Sequence, residues 1–361
     1  FWARFDLRSP ANKALAFSHA FLGVRIQCAE CHKHPFDRWT KEDFDGLKAF
    51  FEPVQNGFAP DAIDARDRFV AANLPKRARK AGRYLPKMAS EGAVVPWKEI
   101  YYGEASRPKS KSKTPAGFFR EDVDPGERES LHILMYWMRG LDHPYLALAY
   151  VNRVWAGYFG HGIVDPPDDL SLANPPSNRP LLDYLAAGFI ESGYDMKWLH
   201  GEIVLSDAYQ RDWRPNSSNE HDQRNYSRAI PRRLPAEVLY DAVWVATAAR
   251  QEFAISDFER RTIGVNAGLM RSNGRSRFLV NLGKPARDAV CENERSNEAS
   301  LNQAFFLQND REIQDMLTRK SGWVAAAAHR EDFISHDATT EEIETLIEEA
   351  YLRTLSRWPA R

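Results

Sequence analysis

From Glu127 to the end of the chain, apolar side chains return every three to four residues in one segment after another, a periodicity that only helices packed on other helices can bury. The segments 127–140, 145–159, 178–191 and 195–207 each place Leu, Ile, Met, Trp or Tyr at helical spacing, with Pro- and Gly-rich joints between them. The stretch from Pro231 to Arg250 repeats the pattern, with Pro235 suited to a first helical turn and Leu239, Val243 and Ala246 in one stripe. Segments 297–308, 310–320 and 340–356 continue it. No unit recurs at a fixed period, so a solenoid is not indicated. The fold class expected is mainly α. With 361 residues, 43% hydrophobic and 12% aromatic, the chain has far more apolar surface than a disordered protein carries.

Ahead of this helical region the pattern changes twice. In residues 11–27, Leu15, Phe17, Phe21, Leu22 and Val24 keep a helical period and predict a helix that delivers the chain to Cys28. Thr40 followed by Asp43 reads as a capping box, and Phe44, Leu47, Phe50 and Phe51 predict a second short helix behind it. From Pro53 to about Gly126 periodicity fades. Prolines recur, the basic runs 75–80 and 107–113 read as solvated loop, and Val94–Trp97 and Ile100–Tyr102 read as short strands. The expected organisation is therefore a helical segment over 1–52, an irregular segment with short strands over 53–126, and a multi-helix domain over 127–361.

Charge narrows the partners. Lys and Arg number 49 against 50 Asp and Glu, so no global field recruits nucleic acid or an anionic membrane. No apolar stretch approaches the 18 residues of a membrane span. The chain begins Phe1-Trp2-Ala3 and reads as a fragment, so export has to be argued from chemistry rather than from a signal peptide.

That chemistry is concentrated at Cys28-Ala29-Glu30-Cys31-His32. Two thiols three residues apart, with an imidazole directly after them, form the spacing used to attach c-type haem. The thiols reach two vinyl groups of one porphyrin as thioethers, and the adjacent histidine supplies the proximal iron ligand. Three alternatives compete. Cys28, Cys31, His32 and His34 offer four zinc donors, although four donors within seven residues strain a tetrahedral site and no second pair follows, since Cys291 stands alone. A redox or structural disulfide between Cys28 and Cys31 is the second, and inert thiols the third. An iron–sulfur cluster needs four thiolates, and the chain has three cysteines. The candidates for a sixth haem ligand are His34, Met88, His132, Met135, Met138, His143 and His161, of which His34 follows His32 too closely to reach the opposite face and is expected instead to contact a propionate, support the ligand or bind in another molecule.

Other clusters read as structural before they read as functional. Asp165, Asp168 and Asp169 form a carboxylate group in a proline-stiffened loop, with Arg153 one helix away as an ion-pair partner. Arg232, Arg233, Glu237 and Asp241 suggest a salt network. His161, between Gly160 and Gly162, is expected to face solvent from a turn. Trp39, Trp97, Trp155, Trp198 and Trp244 are the aromatic faces available for stacking on sugar rings, with core packing as their ordinary role.

The stretch from Phe21 to Thr40, which contains the cysteine motif followed by His34-Pro35-Phe36-Asp37, resembles the end of a planctomycete cytochrome c-like (PSCyt) domain. The stretches Tyr150–Asp169 and Asn225–Glu237 resemble the planctomycete-specific (PSD) domain that follows it. Cys291-Glu292-Asn293-Glu294-Arg295 is similar to a Cys-Glu-Cys-Glu-Arg pattern of that family, with Asn293 at the second cysteine. The resemblance implies an exported, periplasmic protein whose cytochrome-like part begins upstream of this chain and whose second domain has no defined biochemistry, with a link to polysaccharide breakdown. Together, motif and resemblance lead to the expectation of an exported haem c protein with an electron-transfer or redox role. Its partner would be a redox protein or a carbohydrate. The competing expectation is a carbohydrate-associated binding or scaffold module in which zinc or a disulfide staples the Cys/His cluster.

Overall fold

The computed structural model describes residues 9–74, 84–90, 92–103, 130–139, 144–247, 279–284, 300–329 and 338–360. The chain divides into two compact units, one ending at Ile230 and one beginning at Pro231. Both are helical, and the one sheet among the described residues is a two-stranded antiparallel ribbon. The basic runs, Cys291, Asn293 and His143 lie outside the described residues, and Met88 is half-buried between residues 84 and 90.

The first unit opens with α1, Pro10–Phe17, capped by Ser9, whose side chain accepts from the Asn12 N–H at 3.0 Å. The helix does not run on to Cys28 as its periodicity predicts. It widens into a π-turn over Ser18–Leu22 and stops at Gly23, in the left-handed region at φ 65°. A side chain there would be strained, and its Cβ would lie 3.0 Å from Ala149 Cβ and Leu170 Cδ1. Glycine therefore both ends the helix and admits its neighbours. The chain then descends through buried Val24 and Ile26 to a 3₁₀ turn over Gln27–Glu30.

Helix α2, Lys41–Ala49, starts at the expected capping box. Thr40 Oγ1 accepts from the Asp43 N–H at 3.3 Å, and Asp43 Oδ2 accepts from the Thr40 N–H at 2.8 Å. Its face supplies Phe44 and Leu47, and Phe50 and Phe51 follow at full burial, each stabilising by about 1.5–3 kcal/mol. Lys13 of α1 is buried among them, and its ammonium donates to the Val54 carbonyl. Burial pushes that ammonium below its usual pKa.

Within the middle segment, β1 (Val54–Gly57) pairs with β2 (Glu99–Tyr102), Val54 opposite Tyr102 and Gly57 opposite Glu99. Ile100–Tyr102 is thus a strand, whereas Val94–Trp97 is not. Two helices also lie here, α3 (Pro60–Asn73) and α4 (Tyr84–Ser90). No residue of α3 is buried. Its helicity rests on propensity, with four alanines, and not on an apolar stripe, which is why periodicity passes over it.

Helix α5, Ser130–Met138, adds Ile133, Leu134, Trp137 and Met138 to the core built by α1 and α2. Helix α6, Tyr145–Phe159, packs on α7 (Arg179–Glu191), on α8 (Met196–Val204) and on the π-turn. These three helices bury a second core around Val151, Trp155, Leu182, Phe189 and Leu199. Asn178 caps α7 and Asp195 caps α8 through their side chains.

The second unit holds α9 (Ala236–Thr247), α10 (Leu301–Asn309), α11 (Arg311–Leu317), α12 (Trp323–Ala328) and α13 (Thr340–Leu355). Helix α9 packs against α11, α12 and α13. In this unit Arg233 donates to the Gln303 side chain and Glu237 is buried, consistent with an internal polar network.

Candidate functional site

The Cys28–His32 segment is one exposed turn resting on one buried methyl group. Ala29 is fully buried, while Cys28, Glu30, Cys31 and His32 are exposed. The Ala29 N–H donates to the Ile26 carbonyl at 2.9 Å, and the Cys31 and His32 N–H groups both donate to the Cys28 carbonyl, at 3.3 and 3.2 Å. Lys41 Nζ donates to the Glu30 carbonyl at 2.9 Å, tying the turn to the start of α2. Both thiols are free.

The two histidines of the motif are held as opposite tautomers. His32 Nδ1 lies 2.7 Å from the Lys33 carbonyl, which can only accept, so Nδ1 carries the proton and Nε2 the lone pair. His34 Nδ1 accepts from the Phe36 N–H at 3.2 Å, so its proton sits on Nε2. The His34 N–H donates to the Trp39 carbonyl at 2.8 Å and closes the loop. His32 thus carries its free lone pair on Nε2, and His34 spends its own on the loop. Trp39 is buried edge-on against Tyr145 at 5.8 Å, and Arg38 covers its ring at 5.0 Å.

Behind the turn lies a buried polar seam. Gln27 Nε2 is 2.6 Å from His19 Nε2, and burial pushes the His19 imidazole below its ordinary pKa, with the Gln27 hydrogen bond opposing. Arg153 reaches from α6 to donate to the His19 and Ala20 carbonyls, both at 2.5 Å. Asp168, 1% exposed, takes a 2.6 Å ion pair from Arg25, and Asp169 lies 3.9 Å from the same guanidinium. The carboxylate cluster read from sequence is divided in this way: Asp168 and Asp169 face Arg25, while Asp165 stands in a separate cleft. Arg25 is not among the expected partners, because a separation of 143 positions from Asp168 conceals the pairing.

A second constellation follows α6, whose C-terminus is capped by Gly160 at φ 87°. Asn152 is fully buried, with Nδ2 donating to the Val164 carbonyl at 2.8 Å and Oδ1 accepting from the Val164 N–H at 2.9 Å. This one amide satisfies both backbone groups of Val164 and fixes the loop after the helix. Tyr226, at φ 56°, donates its hydroxyl to the Gly162 carbonyl at 2.9 Å and packs edge-on against Trp155 at 5.0 Å. His161 does not face solvent as expected. Its ring stacks on Tyr226 at 4.7 Å and 7°, and its Nε2 is buried without a hydrogen-bond partner among the described residues.

Of the remaining expected residues, Met138 is core, while His132 and Met135 are exposed on α5. Trp39 and Trp155 are core, Trp198 and Trp244 half-buried, and Trp97 is 64% exposed. Asn152 and Tyr226 carry no sequence signal beyond their lying in the two PSD-like stretches.

The family comparisons bear on both regions. PSCyt2, a protein of unknown function (DUF1549), matches residues 3–56. PSD1, a protein of unknown function (DUF1553), matches residues 132–361, more than half of the chain. The chain belongs to the PSD1 family. The resemblance read from the cysteine motif and the two later stretches is therefore shown, and both families are of the planctomycete type. The PSCyt2 match contains the Cys28–His32 turn, and the PSD1 match contains Asn152, His161 and Tyr226. No curated protein and no solved structure matches the chain. Among the described residues no helix is long and apolar enough to cross a membrane.

Acid should weaken the fold through its buried imidazoles. Burial pushes His161 below its ordinary 6.5, with Asp165 and Asp222 opposing and Arg224 reinforcing, and His19 is pushed the same way. A base with a depressed folded pKa resists a proton that the unfolded chain accepts, so stability is full above about pH 6.5 and falls as pH drops toward the folded values. The urea midpoint, followed by tryptophan fluorescence, should be lower at pH 5.5 than at 7.5. The difference should shrink in His161→Gln, and a midpoint independent of pH would contradict the assignment.

Proposed function

We propose that the chain is an exported c-type haem-binding protein with an electron-transfer or redox role, in which Cys28 and Cys31 are the attachment thiols and His32 Nε2 is the proximal ligand. The observation that carries this reading is the arrangement of the turn: two free, exposed thiols on one backbone turn, followed by an imidazole whose Nδ1 proton is already given to a carbonyl. Such an outer hydrogen bond sets the tautomer and raises the basicity of the ligating nitrogen. Ala29 anchors the turn to the core and Lys41 ties it to α2, leaving both thiols exposed. A bound haem supplies one-electron chemistry at its iron, and the protein's part is to hold it and set its surroundings.

Export follows from the same chemistry, because thioether formation takes place outside the cytoplasm on reduced thiols, which makes the periplasm the expected compartment. A zinc staple has less support. His34 uses its Nδ1 lone pair within the loop, and no group of three or more His, Cys, Asp or Glu side chains gathers for a metal among the described residues. The test is expression in a host competent for c-type maturation, followed by the pyridine haemochrome spectrum and metal analysis. One haem per chain that survives denaturation is expected. Stoichiometric zinc without iron, or no haemochrome band under full maturation, would overturn the proposal.

A further inference from the structure

A cleft of about 650 Å³ opens between the loop that follows α6 and the loop that precedes Pro231. Its volume lies within the range of small-molecule sites. All of its lining belongs to the first unit. Arg224 and Arg228 form one wall, Asp165 and Asn174 stand on the other, and Ile163 and Ile230 supply apolar surface.

The arginines are placed by a third residue. Asp222 Oδ1 accepts from the N–H groups of Arg224 and Asn225 at 3.0 and 2.9 Å, and its Oδ2 accepts from the N–H and hydroxyl of Ser227. These bonds hold its carboxyl far below the usual carboxylate range and fix the turn on which Arg224 sits. Arg228 is pinned by the Asn219 and Glu220 carbonyls at 3.3 and 3.5 Å, which engage only part of its five-donor fork. Arg224 is exposed, and its guanidinium has no hydrogen-bond or ion-pair partner among the described residues. The His161 ring lines the same cleft, stacked on Tyr226.

Among the residues lining the cleft, two guanidinium charges stand against one carboxylate and His161 is neutral, while the Asp222 carboxylate spends both oxygens on the turn that carries Arg224. A dianion would be opposed by Asp165. A bare monoanion would engage the arginines alone and leave the exposed Asp165 carboxylate to water, since its one backbone contact, from the Gly162 N–H, is long at 3.4 Å. We propose that the cleft binds a monoanionic, polyhydroxylated small molecule, with the oxyanion on Arg224 and Arg228 and hydroxyl groups donating to Asp165. This assignment does not depend on haem.

The test is calorimetric titration of the full chain with glucuronate, with glucose, acetate and inorganic phosphate as separate arms. Glucuronate should bind more tightly than all three, because only it supplies both charge and hydroxyl donors. Arg224→Gln should weaken glucuronate by about tenfold or more, the loss expected for one charge-assisted hydrogen bond. Its exposed side chain makes an unchanged fold the expected circular dichroism result. Asp165→Asn should narrow the gap between glucuronate and acetate. Equal binding of acetate and glucuronate, unchanged binding in Arg224→Gln, or no heat with glucuronate at tens of millimolar would each overturn the proposal.

Discussion

Replacing Cys28 and Cys31 together by alanine is expected to abolish covalent haem attachment, with denatured protein losing its haemochrome band completely. Each single replacement should leave one thioether and a shifted haemochrome maximum, because one vinyl group then stays unreacted. Neither change should unfold the first unit. Both side chains are exposed, and the turn is held by backbone bonds to the Cys28 carbonyl, by Ala29 and by Lys41. His32→Ala should retain the thioethers and change the Soret spectrum, separating attachment from ligation. If the double alanine variant keeps a wild-type haem spectrum, the motif is not the attachment site.

The second large effect lies far from the motif in sequence. Asn152→Leu keeps the branched shape of the side chain and removes an amide that satisfies both the N–H and the carbonyl of Val164. Leaving two buried backbone groups unpaired costs about 3–5 kcal/mol, a large part of the stability of an ordinary domain. The urea midpoint should fall accordingly. Glucuronate binding should fall with it, because the loop from His161 to Ser177 forms one side of the proposed cleft. Gly162→Ala should act on the same loop by steric means, since a Cβ there would lie 2.2 Å from the Val164 carbonyl oxygen. An Asn152→Leu variant with wild-type stability would show that the loop is held by other contacts.

These two predictions differ in how much of their basis is visible in the chain itself. The helices over 145–159, 178–191 and 340–356 are legible because each has an apolar stripe at 3.6-residue spacing and a recognisable cap, and α6, α7 and α13 follow those bounds within a few residues. Helix α3 is not legible, because a solvated helix needs no stripe. The helix into Cys28 is overextended by the same reasoning: periodicity continues through Leu22 and Val24, but Gly23 turns the backbone left-handed under the contact of Ala149 and Leu170.

The helical class, the family and the Cys28–His32 spacing can be read from the residues alone, since period and spacing are local properties of a chain. Folding, by contrast, sets which histidine of the motif keeps a free lone pair. It also divides the aspartates between Arg25 and the cleft, and stacks His161 on Tyr226. Each of these depends on backbone carbonyls and side chains brought together by burial. Hydrogen bonds between such groups form wherever folding removes water from both partners, whatever their separation along the chain.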